Sequence, residues 1–150
     1  MDLTFSAHID VAATRERIIE LAHASDLETV RAFDPRVVAV ESNGVPEGTA
    51  GQVARVTAVV AGKRTVMTIT TLEAELPDFV VERYEGEGPM NETRTTYTPL
   101  PDGGTRITMT TTFTVPWWKP LLALGLRVVA PRSMRDSLAN VKALVEPPSS

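Results

Sequence analysis

At the start of the chain Leu3, Phe5, Ala7, Ile9 and Val11 alternate with Thr4, Ser6, His8 and Asp10. A period of two puts the apolar set on one face, so Leu3–Val11 reads as a strand half-buried against a core. From Thr14 the period changes: Ile18, Leu21 and Ala22 fall on one helical stripe, with Thr14 placed to cap the first turn. A second short helix is predicted from Ser25, where Ser25 and Glu28 have capping-box spacing. It stops at Asp34-Pro35, because a residue before proline avoids the α region.

Beyond Pro35 the pattern is one of Val, Thr and Ile runs cut by turn chemistry at Asn43-Gly44, Ala61-Gly62-Lys63, Leu76-Pro77-Asp78, Gly86-Glu87-Gly88-Pro89 and Pro101-Asp102-Gly103-Gly104. Six strands are predicted, at Arg36–Ser42, Thr49–Val60, Arg64–Ala74, Phe79–Gly86, Glu92–Pro99 and Thr105–Val115. The connections are too short for crossovers, so the strands form an antiparallel meander. Several run to ten residues or more, and a sheet of such strands must twist and curl. The final segment returns to helical spacing, with Leu121, Leu124 and Val128 followed by Met134, Leu138, Val141 and Val145. Pro131 is expected to kink it, and Glu146-Pro147-Pro148 to end it ahead of a frayed Ser149-Ser150. The fold class is therefore α+β: a strongly bent seven-stranded antiparallel sheet, two short helices, and a long C-terminal helix over the concave face.

Composition narrows the functional classes. The 150 residues are expected to form a single domain over 1–150, with 43% hydrophobic and 23% charged residues. A net charge of -4 supplies no basic footprint for a phosphate backbone, so no nucleic-acid partner is expected. With no cysteine and only His8 and His23, the chain has no thiolate chemistry and no histidine pair at metal-ligand spacing; neither metal nor cofactor is expected. The N-terminus lacks a signal-peptide pattern, and Trp117 to Ala130 would extend only about 21 Å as a helix against a hydrocarbon core of about 30 Å. The expectation is a cytoplasmic protein without a membrane span.

An apolar pocket needs few polar groups to orient a ligand, and the strands offer them. Thr93, Thr95 and Tyr97 share one face of their strand. Met67, Ile69 and Thr71 on one side, and Ile107, Met109, Thr111 and Phe113 on the other, complete a candidate wall. In Phe79–Gly86, Arg83 alternates with Phe79 and Val81; these three are taken as candidate wall residues, an inward Arg83 orienting an oxygen-bearing ligand, while the opposite face carries Val80 and Tyr84 and alternation leaves open which set is inside. Glu82, Glu85, Glu87 and Glu92, with Arg83 and Arg94, cluster around one hairpin, a grouping open to acid–base catalysis but more commonly a solvated rim of cross-strand pairs. The Trp117-Trp118 corner is open to three roles, lining the pocket mouth, touching a membrane interface or contacting a partner; Trp117, Leu121 and Leu124 are taken as candidate ligand contacts, with at least one tryptophan packing on the sheet edge and one at or near the surface.

The order strand, two short helices, six-strand meander and long helix resembles the helix-grip fold of the START-like, Bet v 1-like (SRPBCC) superfamily, which includes polyketide cyclase/dehydrase-like proteins. Ile9-Asp10-Val11-Ala12-Ala13, Phe33-Asp34-Pro35, Gly48 through Gly51, Gly103-Gly104-Thr105-Arg106 and Leu144-Val145-Glu146 carry the likeness. The resemblance implies a cavity between sheet and last helix that binds or carries an apolar small molecule such as a lipid or polyketide. The alternatives it leaves are a cyclase or aromatase acting in the same cavity, and a protein-interaction module of the chaperone-cofactor type with a filled cavity and an exposed apolar patch.

Overall fold

A computed structural model describes residues 1–146. Its elements run β1 (Asp2–Val11), α1 (Arg15–Ala22), α2 (Leu27–Phe33), β2 (Val37–Ser42), β3 (Val53–Val60), β4 (Lys63–Glu75), β5 (Phe79–Glu85), β6 (Asn91–Pro99), β7 (Thr105–Thr114) and α3 (Pro120–Val145). All seven strands join one antiparallel sheet in the order β1-β7-β6-β5-β4-β3-β2. This is the helix-grip arrangement expected from the pattern: a curled meander with α3 across its concave face.

Local chemistry accounts for most element ends. Thr14 caps α1 by accepting from the Arg17 amide at 3.3 Å. The start of α2 departs from the expectation, since Asp26 caps it, accepting from the Thr29 amide at 2.9 Å. Ser25 is drawn instead to Glu47, whose carboxylate accepts from its amide and hydroxyl. The third strand starts at Val53 rather than Thr49, because positive φ at Gly48 and Gly51 holds the intervening residues in a turn. A β-carbon on Gly104 would stand 2.7 Å from the Val11 carbonyl oxygen, so only glycine lets the start of β7 meet the end of β1 this closely.

α3 runs unbroken through Pro131, with Pro120 in its first turn and Glu146 at its C-cap. Its end is tied to the link after β1: Glu146 accepts from the Ala12 amide at 2.8 Å, and Lys142 Nζ donates to the Asp10 carbonyl at 2.9 Å. The expected Pro147-Pro148 stop and frayed Ser149-Ser150 lie outside the described residues. Two apolar clusters hold helix to sheet. One joins Val11, Ile18, Tyr97, Ile107, Leu138 and Val145; the other joins Leu3, Val115 and Ala123. Between them the side chains do not close the space.

Candidate functional site

Cross-strand register decides which side chains see that space, because directly paired residues of antiparallel strands share a face. Thr93, Thr95 and Tyr97 of β6 are buried and pair with Thr111, Met109 and Ile107 of β7. On the other side Thr95 pairs with Val80 and Thr93 with Glu82, so β5 turns Val80, Glu82 and Tyr84 inward. This corrects the assignment of Phe79, Val81 and Arg83. Their partners Thr96, Arg94 and Glu92 belong to the outer face, and so do they. There the Arg94 guanidinium lies 3.9 Å over the Phe79 ring, and Arg83 stands between Glu85 and Glu92 at 4.0 and 3.7 Å. Of the acidic rim, Glu85, Glu87 and Glu92 pair with cations at the surface, while Glu82 is a cavity residue.

The resulting cavity has a volume of about 440 Å³. Its floor is Met67, Glu82, Tyr84, Asn91, Thr93, Thr95, Tyr97, Ile107, Met109, Thr111 and Phe113; its roof is Ala130, Ser133, Met134, Ser137, Leu138 and Val141 of α3; Ile18, Ala22 and His23 close the α1 end. A second hollow of about 180 Å³ lies under α2, bounded by Val30, Phe33, Val40, Gln52, Ala54, Val56, Ile69 and Thr71. Ala22, His23, Glu82 and Tyr84 line both, so the two hollows meet at a polar group of side chains. Of the residues assigned from sequence, Met67, Thr95, Tyr97, Met109, Thr111 and Phe113 line the large cavity, and Ile69 and Thr71 the small one.

Trp117, Leu121 and Leu124 line neither. They are 78%, 81% and 60% exposed, and Trp118 at 63% does not pack on the sheet edge either, which corrects the assignment of this corner to the pocket mouth and sheet. The first half of α3 meets the core through Ala123 and Ala130 instead, small residues that let its axis approach the sheet while Leu121, Leu124 and Val128 stay outside.

The polar group has defined geometry. His23 Nε2 and the Tyr97 hydroxyl are 2.8 Å apart, their rings edge to face. The Tyr84 hydroxyl donates to Glu82 at 3.3 Å. Thr93 and Thr111 share a hydroxyl contact of 2.9 Å, with Thr93 also donating to Asn91 Oδ1. The Glu82 carboxylate holds the Tyr84 phenol well above its ordinary pKa, reinforced by burial and by their hydrogen bond. Burial pushes the Tyr97 phenol up, with a further contribution from Glu82. Both phenols are thus kept protonated in the cavity wall. His23, Glu82, Tyr84 and Ser137 were absent from the site read off the sequence. The signal available for Glu82 and Tyr84 was their register with Thr93 and Asn91; for His23, whose partner is 74 positions away, there was none.

Comparison with known proteins places the chain. A family model described as polyketide cyclase / dehydrase and lipid transport matches residues 2–146. No curated protein sequence matches the chain. Among solved structures it is similar to the Zhui aromatase/cyclase from Streptomyces sp. R1128, at 18% identity and TM-score 0.72 over 97% of this chain and 94% of that one. It is also similar to Ara h 8.0201, at 16% identity and TM-score 0.76 over 97% and 98%, and to a START superfamily protein from Mycobacterium smegmatis, at 17% and 0.67 over 95% and 96%. At these identities the likeness is one of fold, and the family rests on the model that spans the chain. The chain belongs to the polyketide cyclase / dehydrase and lipid transport family.

Proposed function

We propose that the protein binds an apolar small molecule bearing at least one oxygen function in the cavity between sheet and α3, as a carrier or sequestering protein. The observation that carries this reading is the wall itself. Its aliphatic, thioether and aromatic side chains supply desolvation, and the hydroxyls of Tyr97, Tyr84, Thr93 and Thr111 supply a few fixed polar points. That balance is what small-molecule sites use, and 440 Å³ falls in their usual range of roughly 300–1,000 Å³. The neutral Tyr97 phenol can donate to a ketone, ester or phenolic oxygen without adding a further charge to a wall that already holds the Glu82 carboxylate.

A second reading, catalysis of cyclase or aromatase type, is favoured by one observation: Tyr97 is paired with His23 and Tyr84 with Glu82, which sets a hydroxyl donor beside an imidazole and another beside a carboxylate in the same cavity. In such a reaction Tyr97 would polarise a carbonyl while His23 or Glu82 takes a proton from the neighbouring carbon. The interaction-module reading needs a filled cavity, and this one is open.

Binding is tested by fluorescence titration with a naphthol, comparing the native chain with Thr95→Phe. Thr95 is buried against the cavity, and a phenyl ring there takes the space of the probe. The expected result is saturable binding by the native chain, weakened more than about tenfold in the variant, or about 1.4 kcal/mol. Equal affinities in two equally folded proteins would remove the cavity from the function.

A further inference from the structure

The passage from β7 into α3 exposes apolar and basic side chains together. Trp117 and Trp118 are 78% and 63% exposed, their rings packed edge to face on each other at 5.9 Å. Leu121, Leu124 and Val128 follow at 81%, 60% and 62% exposure. Their spacing continues through Arg132 and Arg135, both exposed, so one outward stripe of α3 is apolar for two turns and then cationic. The opposite face of the same turns is occupied, since Ala123 and Ala130 are buried against the sheet. From Pro116 to Val145 there are five cations and one carboxylate, Asp136, in a chain whose net charge is -4. Lys119, Arg127, Arg132 and Arg135 enter no ion pair among the described residues.

We propose that this face docks on the surface of an anionic lipid bilayer. The tryptophan pair, Leu121 and Leu124 enter the headgroup region, and the arginines lie over the lipid phosphates. Tryptophan suits that depth because its ring is apolar and its indole N–H needs a polar partner. An amphipathic helix with leucine on one side and arginine beside it lies in the interface plane, and each cation near an anionic surface adds to binding. Charge also sets the orientation: outside this segment the chain is strongly acidic, so its other faces are repelled. The same distribution disfavours a second copy as occupant, because joining two such faces brings the uncompensated cations of each onto the other. No helix among the described residues is long and apolar enough to cross a membrane, so the contact is with the surface. The neighbouring turns of α3 roof the cavity through Ala130, Ser133 and Met134, which puts the docked face beside the pocket. The proposal is independent of what that pocket binds.

The chain's only two tryptophans are in the patch, so intrinsic tryptophan fluorescence reports on this site alone. The test uses vesicles of phosphatidylcholine alone and of phosphatidylcholine with an equal part of phosphatidylglycerol. The expected result is a blue shift of emission and co-flotation with the anionic vesicles only, reversed by high salt. Arg132→Glu/Arg135→Glu should weaken partitioning more than about tenfold, and Leu121→Asp/Leu124→Asp should abolish the shift. Both variants change exposed positions, so their thermal unfolding should match the native chain. The proposal is overturned by the absence of a shift with anionic vesicles, by equal binding to neutral ones, or by folded variants that bind as well as the native chain. A blue shift that follows protein concentration without lipid, with dimers in sedimentation, would assign the face to a second copy and overturn it too.

Discussion

Leu138→Ala lowers the unfolding free energy by about 2–5 kcal/mol, a large part of the roughly 5–15 kcal/mol that holds a domain of this size together. Leu138 is 1% exposed and packs in the cluster of Val11, Ile18, Tyr97, Ile107 and Val145, where α3 is held to β1, β6 and β7. Truncation removes its transfer free energy and enlarges a void that the neighbours already leave open. Leu124→Ala, on the same helix at 60% exposure, should change stability by less than about 0.5 kcal/mol. Urea unfolding of the two variants checks this. Similar losses in both would mean that α3 is not seated as described.

Neither tyrosine of the chain ionises near the ordinary phenol pKa while the fold is intact. Tyr84 and Tyr97 are the only two, and both are shifted up, the first chiefly by the Glu82 carboxylate and the second chiefly by burial. As pH rises, the unfolded chain therefore gives up these protons before the folded one. The stability tied to them is complete below about pH 10 and is lost above it, by about 1.4 kcal/mol per pH unit for each tyrosine, until the folded-state phenols ionise. Tyrosinate absorbance should rise together with loss of the far-ultraviolet circular dichroism signal, in one cooperative step. Glu82→Gln removes the leading cause at Tyr84 and should bring its ionisation to lower pH. A tyrosinate step near pH 10 with the circular dichroism unchanged would contradict the burial of both hydroxyls.

How far the sequence reaches is clear from particular residues. Alternation from Leu3 to Val11 and from Thr93 to Tyr97 has one apolar or one large-residue face, so period alone orients β1 and β6, and with them Met109, Thr111 and Phe113 across the ladder. In β5 both faces carry large side chains, Phe79 and Val81 on one and Val80 and Tyr84 on the other. Hydrophobicity leaves a tie that only the pairing of Glu82 with Thr93 breaks. The start of α2 is a similar case: Ser25 and Asp26 are both competent caps, and Glu47, distant in sequence, occupies the serine. At Leu121 and Leu124 the pattern is read correctly as helical and apolar but, like Trp117 ahead of them, assigned to the wrong side. Periodicity reports that a stripe is apolar; burial depends on whether an element lies opposite it, and here the sheet faces Ala123 and Ala130. The His23–Tyr97 pair arises from folding alone, since nothing local to either residue marks the other.

The central claim, that a small molecule enters between the sheet and α3, is tested most directly on the methionine methyl groups. Met67, Met109 and Met134 line the large cavity, while Met1 and Met90 do not, so selective carbon-13 labelling gives five resonances divided into reporters and controls. Titration with a naphthol should move the three cavity resonances together along one saturable curve and leave Met1 and Met90 in place. Shifts confined to Met1 or Met90, or five unchanged resonances at concentrations where the fluorescence titration saturates, would contradict it.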